Sequence, residues 1–188
     1  MSDSRHDATP EPRGDPVVVV PYDPAWPRTF DALATQLAAT LGDLAVGIEH
    51  VGSTAVPGLA AKPIVDVDVV VRRDEDLADA RTRLSAAGYT SLGDLGVAGR
   101  EAFRAPPGAP RHHLYVCASG AAALRAHLLL RDALRADPDL AVAYGTLKAE
   151  LAERFRDDRD SYTEGKSAFI RSVLMRERDA GRKRSRRR

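Results

Sequence analysis

Two short segments carry residue types that could do chemistry together: Gly52-Ser53-Thr54, and Asp66-Val67-Asp68. Successive residues of a strand alternate faces, so Asp66 and Asp68 stand on one side, their roots roughly 6–7 Å apart. The interleaved Val65, Val67, Val69 and Val71 face the other way, into a core. Two like charges on one face repel each other unless a cation sits between them. A hard divalent cation with oxygen ligands meets that need, which makes Asp66 and Asp68 candidate ligands of Mg²⁺, with Mn²⁺ as its substitute. Such an ion activates a hydroxyl and steadies a leaving phosphate. Gly52 lets backbone approach a ligand closely. A backbone amide, the Ser53 hydroxyl and the Thr54 hydroxyl can then hold phosphate oxygens. Lys62, four residues before Asp66, serves either a triphosphate or the aspartates. A Gly-Ser turn by itself is usually only a turn, and Asp-x-Asp usually only a solvated strand face. The informative feature is their pairing, with twelve residues between Ser53 and Asp66 and each at or beside a strand.

The elements that would position these residues can be read along the chain. Residues 1–16 form a loose arm rich in Asp, Pro and Ser. Val17–Val20 predicts a short strand between two prolines. Asp23 predicts a helix cap, with Pro24 in the first turn, and Trp26, Phe30, Leu33, Leu37 and Leu41 form an apolar stripe ended by Gly42. Val46–Val51 and Ile64–Val71 predict strands on either side of the Gly-Ser loop. Asp74–Ala87 predicts an amphipathic helix closed by Gly88. Tyr89–Leu92 is a brief extended stretch, and Glu101–Ala105 and His112–Ala118 are strands flanking a PPGAP turn. From Ala121 the chain is helical to near Arg178, with breaks at Asp137-Pro138 and Asp160-Ser161. A small mixed sheet followed by a helical half is an α+β arrangement.

Composition bounds the function class. The chain has 188 residues, 44% hydrophobic and 29% charged, with a formal net charge of +1. These values suit one folded domain, here expected over residues 17–178, and exclude a collagen-like or mostly disordered chain. The single cysteine, Cys117, allows no internal disulfide and reads as a small buried hydrophobe. No apolar run approaches the roughly 20 residues needed to span a bilayer. The acidic, proline-rich start lacks the apolar region of a signal peptide, so a cytoplasmic location is expected by default. The modest net charge conceals an acidic body and a basic end, RKRSRRR, expected as a solvated disordered tail over residues 179–188. No zinc-finger spacing and no aromatic RNA-stacking motif is present, so sequence-specific nucleic-acid recognition is not expected.

The Gly-Ser turn followed by a strand with two carboxylates resembles the pattern of the nucleotidyltransferase superfamily. The longer stretch IEHVGSTAVPGLAAKPIVDVDVVV, with Tyr22-Asp23 and Trp26, RHHLYV from Arg111, HLLLRDALRADP from His127, YGTLK and YTEGK, resembles the GrpB family within it. The resemblance spans about Val17 to Val173. It implies a nucleotidyltransferase-like fold, a triphosphate held by Ser53 and its neighbours, and Mg²⁺ held by Asp66 and Asp68. The superfamily usually adds a third carboxylate from a later strand, but the matching strand here, His112–Ala118, has none. His113 takes that place as a candidate base or ligand, with Tyr115 on its face where the family often has a second histidine. Glu101 is an alternative third carboxylate. Arg131, Lys148 and Lys166 match family positions and, with Arg104, are candidate phosphate partners. Tyr144 and Tyr162 each precede a lysine by four residues and so share its helix face. His50 is expected to order the Gly-Ser loop through a backbone hydrogen bond.

Three functions are compatible with these residues. The first is a Mg²⁺-dependent nucleotidyltransferase with a nucleoside triphosphate donor and a small-molecule acceptor. The second is a binding module for a nucleotide or phosphorylated metabolite, favoured by the absent third carboxylate. The third is a nucleotide-dependent ligase or transferase of a biosynthetic pathway that uses the same metal site. The Ala- and Leu-rich helices leave internal packing and homodimer formation both open.

Overall fold

A computed structural model describes residues 16–185, so the expected N-terminal arm, apart from Pro16, lies outside the described residues. Five strands form one mixed sheet: β1 (Gly47–Val51), β2 (Val65–Val71), β3 (Thr90–Gly93), β4 (Arg100–Arg104) and β5 (His112–Ala118). Their spatial order is β1-β2-β5-β4-β3. Only β2 and β5 run parallel; the other neighbours are antiparallel. Five helices surround the sheet: α1 (Trp26–Leu41), α2 (Asp76–Ala86), α3 (Ala122–Ala136), α4 (Pro138–Arg154) and α5 (Arg159–Ser185).

Alternation along β2 sorts the two faces. Val65, Val67, Val69 and Val71 are buried against Leu33, Leu37 and Leu41 of α1 and Ala80 and Leu84 of α2. The other face of the sheet carries Ala102, Tyr115 and Cys117, which pack on Leu124 of α3. Helices α4 and α5 close over α3 and the loop between β1 and β2, where Val56 and Leu59 meet Leu134 and Tyr144. The Ala- and Leu-rich helices therefore bury apolar residues internally. Asp66 and Asp68 lie on this helix-covered second face, in a strand paired on both sides.

Three expectations need correction. Val17–Val20 is not a strand: only Val20 forms a bridge, with Ala61, while Val17 packs on Leu151 and Tyr162. Helix α1 starts at Trp26, with Pro27 in its first turn; the Asp23 carboxylate instead accepts from Ala25 N at 2.8 Å, capping the turn before it. Helix α5 continues through Ser185, past the Arg178 limit drawn from the sequence. The break at Asp137-Pro138 is present, with the Asp137 side chain accepting from Leu140 N at 3.0 Å.

The loop after β1 turns at Gly52, with φ +69°, and passes directly against Asp66. A Cβ at position 52 would overlap Asp66 Oδ2 and come within 2.8 Å of its carboxyl carbon. Gly58 has a similar φ of +79° but open space around it. Positive φ alone costs an L-residue about 1–3 kcal/mol. Gly52→Ala should therefore destabilise the protein by at least about 1 kcal/mol more than Gly58→Ala, measured by urea unfolding. Equal costs would mean that Asp66 gives way freely and that the contact does not fix it.

Candidate functional site

The Gly-Ser loop is held in place by the helical half. Lys148 of α4 donates to Ser53 Oγ at 2.9 Å and to the Ala60 carbonyl. Arg131 of α3 donates to Glu49 Oε2 at 2.7 Å and to the His50 carbonyl at 3.1 Å. Arg135 donates to the Ala55 carbonyl at 2.9 Å. His50 contributes through its side chain as well as through its carbonyl, which Arg131 meets. Its Nε2 lies 3.0 Å from Thr54 Oγ1, and its ring stacks on Phe30 with centroids 4.6 Å apart. Burial pushes the His50 pKa down to about 4, helped by Arg135 and Arg131 and opposed by Asp66. His50 is therefore a neutral structural hinge pin at pH 7, and Thr54, which is buried, serves the same contact.

The sheet face places two histidines on the two carboxylates. His113 Nδ1 lies 2.7 Å from Asp66 Oδ1, and His127 Nδ1 lies 2.7 Å from Asp68 Oδ2. The first pair follows from parallel register, which sets Asp66 opposite His113 and Asp68 opposite Tyr115. The second pair reaches from β2 to α3. The Asp66 side chain keeps 23% of its exposure, whereas that of Asp68 is fully covered. Tyr115 lies between the Arg100 guanidinium, 4.6 Å from its ring centre, and the His127 ring, 5.9 Å away, so it packs rather than completing a pair of histidines.

Glu101 does not replace the third carboxylate. Its register partner is Val116, which belongs to the α1–α2 core, so Glu101 faces the opposite side of the sheet. There it accepts from Arg81 and Ser91, both bonds at 2.5 Å.

One cleft of about 960 Å³, open space at its mouth included, brings Gly52, Ser53, Thr54, Lys62, Asp66, His113, Arg131, Lys148 and Lys166 together. Asp68 lies beneath His127 and does not line it; Arg104 is exposed at the end of β4 and does not line it either. Arg159 also lines the cleft, and neither it nor His127 stood out in the sequence as a site residue. Arg159 sits in an ordinary charged run, RFRDDRD, that carries no spacing signal. In the sequence His127 is no more than the first residue of the stretch HLLLRDALRADP.

Lys62, Arg131, Lys148, Arg159 and Lys166 line this cleft together with Asp66, and Arg131 is paired with Glu49 and Asp132 at its edge. Both expected Tyr–Lys pairs form. Lys148 lies 4.7 Å from the Tyr144 ring centre, and Lys166 lies 4.7 Å from that of Tyr162. Tyr144 also stacks on Phe169 at 4.9 Å, a packing role. Burial pushes the Tyr162 phenol up to about 12, so it stays protonated. Cys117 is buried, as its type predicts.

A family described as GrpB protein matches residues 16–176. The chain belongs to the GrpB family. UPF0157 protein YqkA of Bacillus subtilis is 36% identical over 157 residues, which cover 84% of this chain but 46% of YqkA. The chain thus spans about half the length of that relative. The crystal structure of the conserved protein GrpB from Enterococcus faecalis superposes with a TM-score of 0.76 at 36% identity, covering 83% of this chain and 94% of that one. Cid1 poly(U) polymerase, solved with MgGTP bound, superposes with a TM-score of 0.52 at 18% identity, over 72% of this chain and 45% of Cid1. The fold of this GrpB protein is therefore nucleotidyltransferase-like. Among the described residues no helix is long and apolar enough to cross a membrane.

The Lys148 ammonium provides a test of the cleft's electrostatics. Burial lowers its pKa from 10.5 to about 7, with Lys166 pushing the same way and Asp66 opposing. Between those two values the folded state binds fewer protons than the unfolded state, so stability from this group rises with pH. Raising the pH from 7 to 9 should stabilise the wild type by about 2 kcal/mol relative to Lys148→Met, measured by urea unfolding of both at each pH. A parallel response of the two proteins would show that Lys148 keeps its ordinary pKa.

Proposed function

We propose that this GrpB protein is a nucleotidyltransferase that moves a nucleoside monophosphate from a triphosphate donor to a small-molecule acceptor. The observation that carries this reading is the meeting of the cationic wall, Ser53 with Lys148 and Lys166, with the Asp66–His113 pair in one cleft. Ser53 Oγ and the Lys148 ammonium hold donor phosphate oxygens, and Lys166 and Arg131 neutralise the rest of the chain of charges. His113 turns Nδ1–H toward Asp66, which leaves Nε2 as the atom that takes the acceptor's hydroxyl proton. Asp66 orients that ring and stabilises the imidazolium as it forms.

The donor set fits a hard divalent cation at Asp66. Among the described residues no cluster of three or more His, Cys, Asp or Glu side chains is arranged to hold a metal. Mg²⁺ tolerates this, because it binds through one or two carboxylates and completes its shell with water and phosphate oxygens. When bound, it supplies charge neutralisation at the phosphates. Asp66 would hold the ion, and Asp68, two residues along β2 and covered by His127, would be the second carboxylate available to it.

The second reading, a nucleotide or phosphometabolite-binding module without transfer, is favoured by one observation: His127 covers Asp68. Calorimetric titration with ATP, GTP, CTP and UTP, each with and without Mg²⁺, separates the readings when joined to a pyrophosphate-release assay. Binding of one triphosphate should depend on Mg²⁺ and weaken at least tenfold in Asp66→Asn and in Lys148→Met. Triphosphate bound at pH 8 should draw a proton onto Lys148, seen as a buffer-dependent enthalpy that Lys148→Met abolishes. His113→Asn should keep triphosphate affinity within about threefold and lose about 10²–10⁴-fold in turnover. Triphosphate binding without pyrophosphate release across a panel of acceptors would favour the binding module, and no binding at all would overturn both.

A further inference from the structure

Helix α5 forms one wall of the main cleft. Arg159, Tyr162, Lys166 and Ile170 line it, spaced three or four residues apart and so on one helix face. Where that wall stands depends on how closely α5 lies against α4, and the distance between two helices follows the side chains at their contact. That contact is made at Gly165. A Cβ built there would come within 2.5 Å of Leu151 Cδ2, 3.0 Å of Cδ1 and 3.3 Å of Cγ. Carbon atoms rest about 3.5–4.0 Å apart, so a methyl at position 165 needs a displacement of about 1 Å. Leu151 has little freedom to supply it. It is buried on α4 against Val17 and Tyr162, with Leu147, Ala152 and Phe155 packed around them. Rotation about its χ2 moves the two methyls but not Cγ. The other glycines of these two helices differ. Gly145 of α4 would place a Cβ 3.5 Å from Leu59, an ordinary contact, and Gly181 of α5 meets nothing within 4 Å.

Glycine inside a helix costs about 1 kcal/mol relative to alanine, so what position 165 gains from it is room rather than helical stability. Tyr162 lies three residues before Gly165 and Lys166 directly after it, so the seat of Gly165 on Leu151 sets the place of both. Tyr162 belongs to the same cluster as Leu151, and the Lys166 ammonium stands 4.7 Å from the Tyr162 ring centre. Building on the transferase reading, we propose that Gly165 is a positioning residue: its missing side chain lets α5 seat on Leu151 and so brings Lys166 to the donor phosphates beside Lys148 and Ser53. Gly165 does not line the cleft and acts through Lys166. A misplacement of about 1 Å can cost about a hundredfold where function depends on orientation, even when its origin is remote from the chemistry.

The test uses the full chain as wild type, as Gly165→Ala, as Gly181→Ala and as the double variant Gly165→Ala/Leu151→Ala, each checked by a thermal melt. Two quantities are read. One is the affinity for ATP, GTP, CTP and UTP in Mg²⁺, by calorimetry. The other, without any ligand, is the Lys148 pKa, by carbon-13 NMR of its side chain. Gly165→Ala should weaken triphosphate binding at least tenfold. It should also raise the Lys148 pKa from about 7 toward the ordinary 10.5, because the push of Lys166 lessens and water gains access, while the opposing Asp66 on β2 stays in place. The double variant gives the new methyl its room and should return the pKa to the wild-type value and the affinity to within about threefold of it. Gly181→Ala should change neither quantity. A folded Gly165→Ala with unchanged affinity and pKa overturns the proposal. So does a loss that the double variant fails to restore or that Gly181→Ala shares. Should Gly165→Ala not fold, Leu151→Met presses the same contact from α4 at nearly constant volume, and it must lower the affinity and raise the pKa or the proposal fails. If no triphosphate binds the wild type, the transferase reading fails by itself. The pKa then still decides: a rise in Gly165→Ala that the double variant reverses retains Gly165 as the seat of α5 against Lys148, and no rise removes it.

Discussion

A lysine ammonium shut away from water sets the geometry of this protein. Lys148 is 2% exposed, and burying a charge is costly unless hydrogen bonds and neighbours compensate. Its compensation comes from the Ser53 hydroxyl, the Ala60 carbonyl and the face of Tyr144. Two of those three belong to the loop between β1 and β2, so the charge draws α4 and the loop together. Once the loop is held, Gly52 stands against Asp66 and fixes the carboxylate toward His113. The same constraint leaves the ammonium only partly stabilised, which explains a pKa near neutrality. A group in that condition gains from any additional negative charge placed beside it.

The sheet separates structural and chemical labour by the period of a strand. One face of β2 is four valines in a dry core under α1 and α2, and the other carries two aspartates under α3 to α5. Every helix that covers the carboxylate face brings polar side chains down to it: His127 from α3, Lys148 from α4, Lys166 from α5. In a nucleotidyltransferase-like fold with a histidine at the third position, proton transfer and charge are handled by different residues. Under the proposed transfer, His113 would take the proton and the lysines would hold the phosphates.

Much of this was legible in the chain because it is local. The alternation over residues 65–71 gave the strand and its two faces, and the Tyr–Lys pairs share a helix face because four residues make about one turn. His113 was expected at the site from the resemblance to the superfamily, and its place opposite Asp66 is set by the parallel register of β2 and β5. What could not be read depends on contacts between distant segments. The Lys148–Ser53 bond joins residues 95 apart, and the His127–Asp68 bond joins residues 59 apart. No periodicity reports such pairings. The face that Glu101 takes depends on the register of β4 against β5, which no short pattern carries. Val17–Val20 had strand composition, but between its two prolines the backbone makes one bridge, at Val20, and Val17 packs on the helices instead.

The order in which the cleft is assembled follows from where its parts lie along the chain. The sheet is complete at Ala118, whereas Lys148, Arg159 and Lys166 all come later. Chains emerge from the ribosome N-terminus first, and their parts begin to fold as they appear. The newborn protein therefore exposes Asp66 and Asp68 on a bare sheet face, an acidic surface, before any lysine of the helical half exists. The electrostatic sign of that face reverses only when α4 and α5 have docked. The cations that line the mature cleft are thus all in place only in the finished molecule.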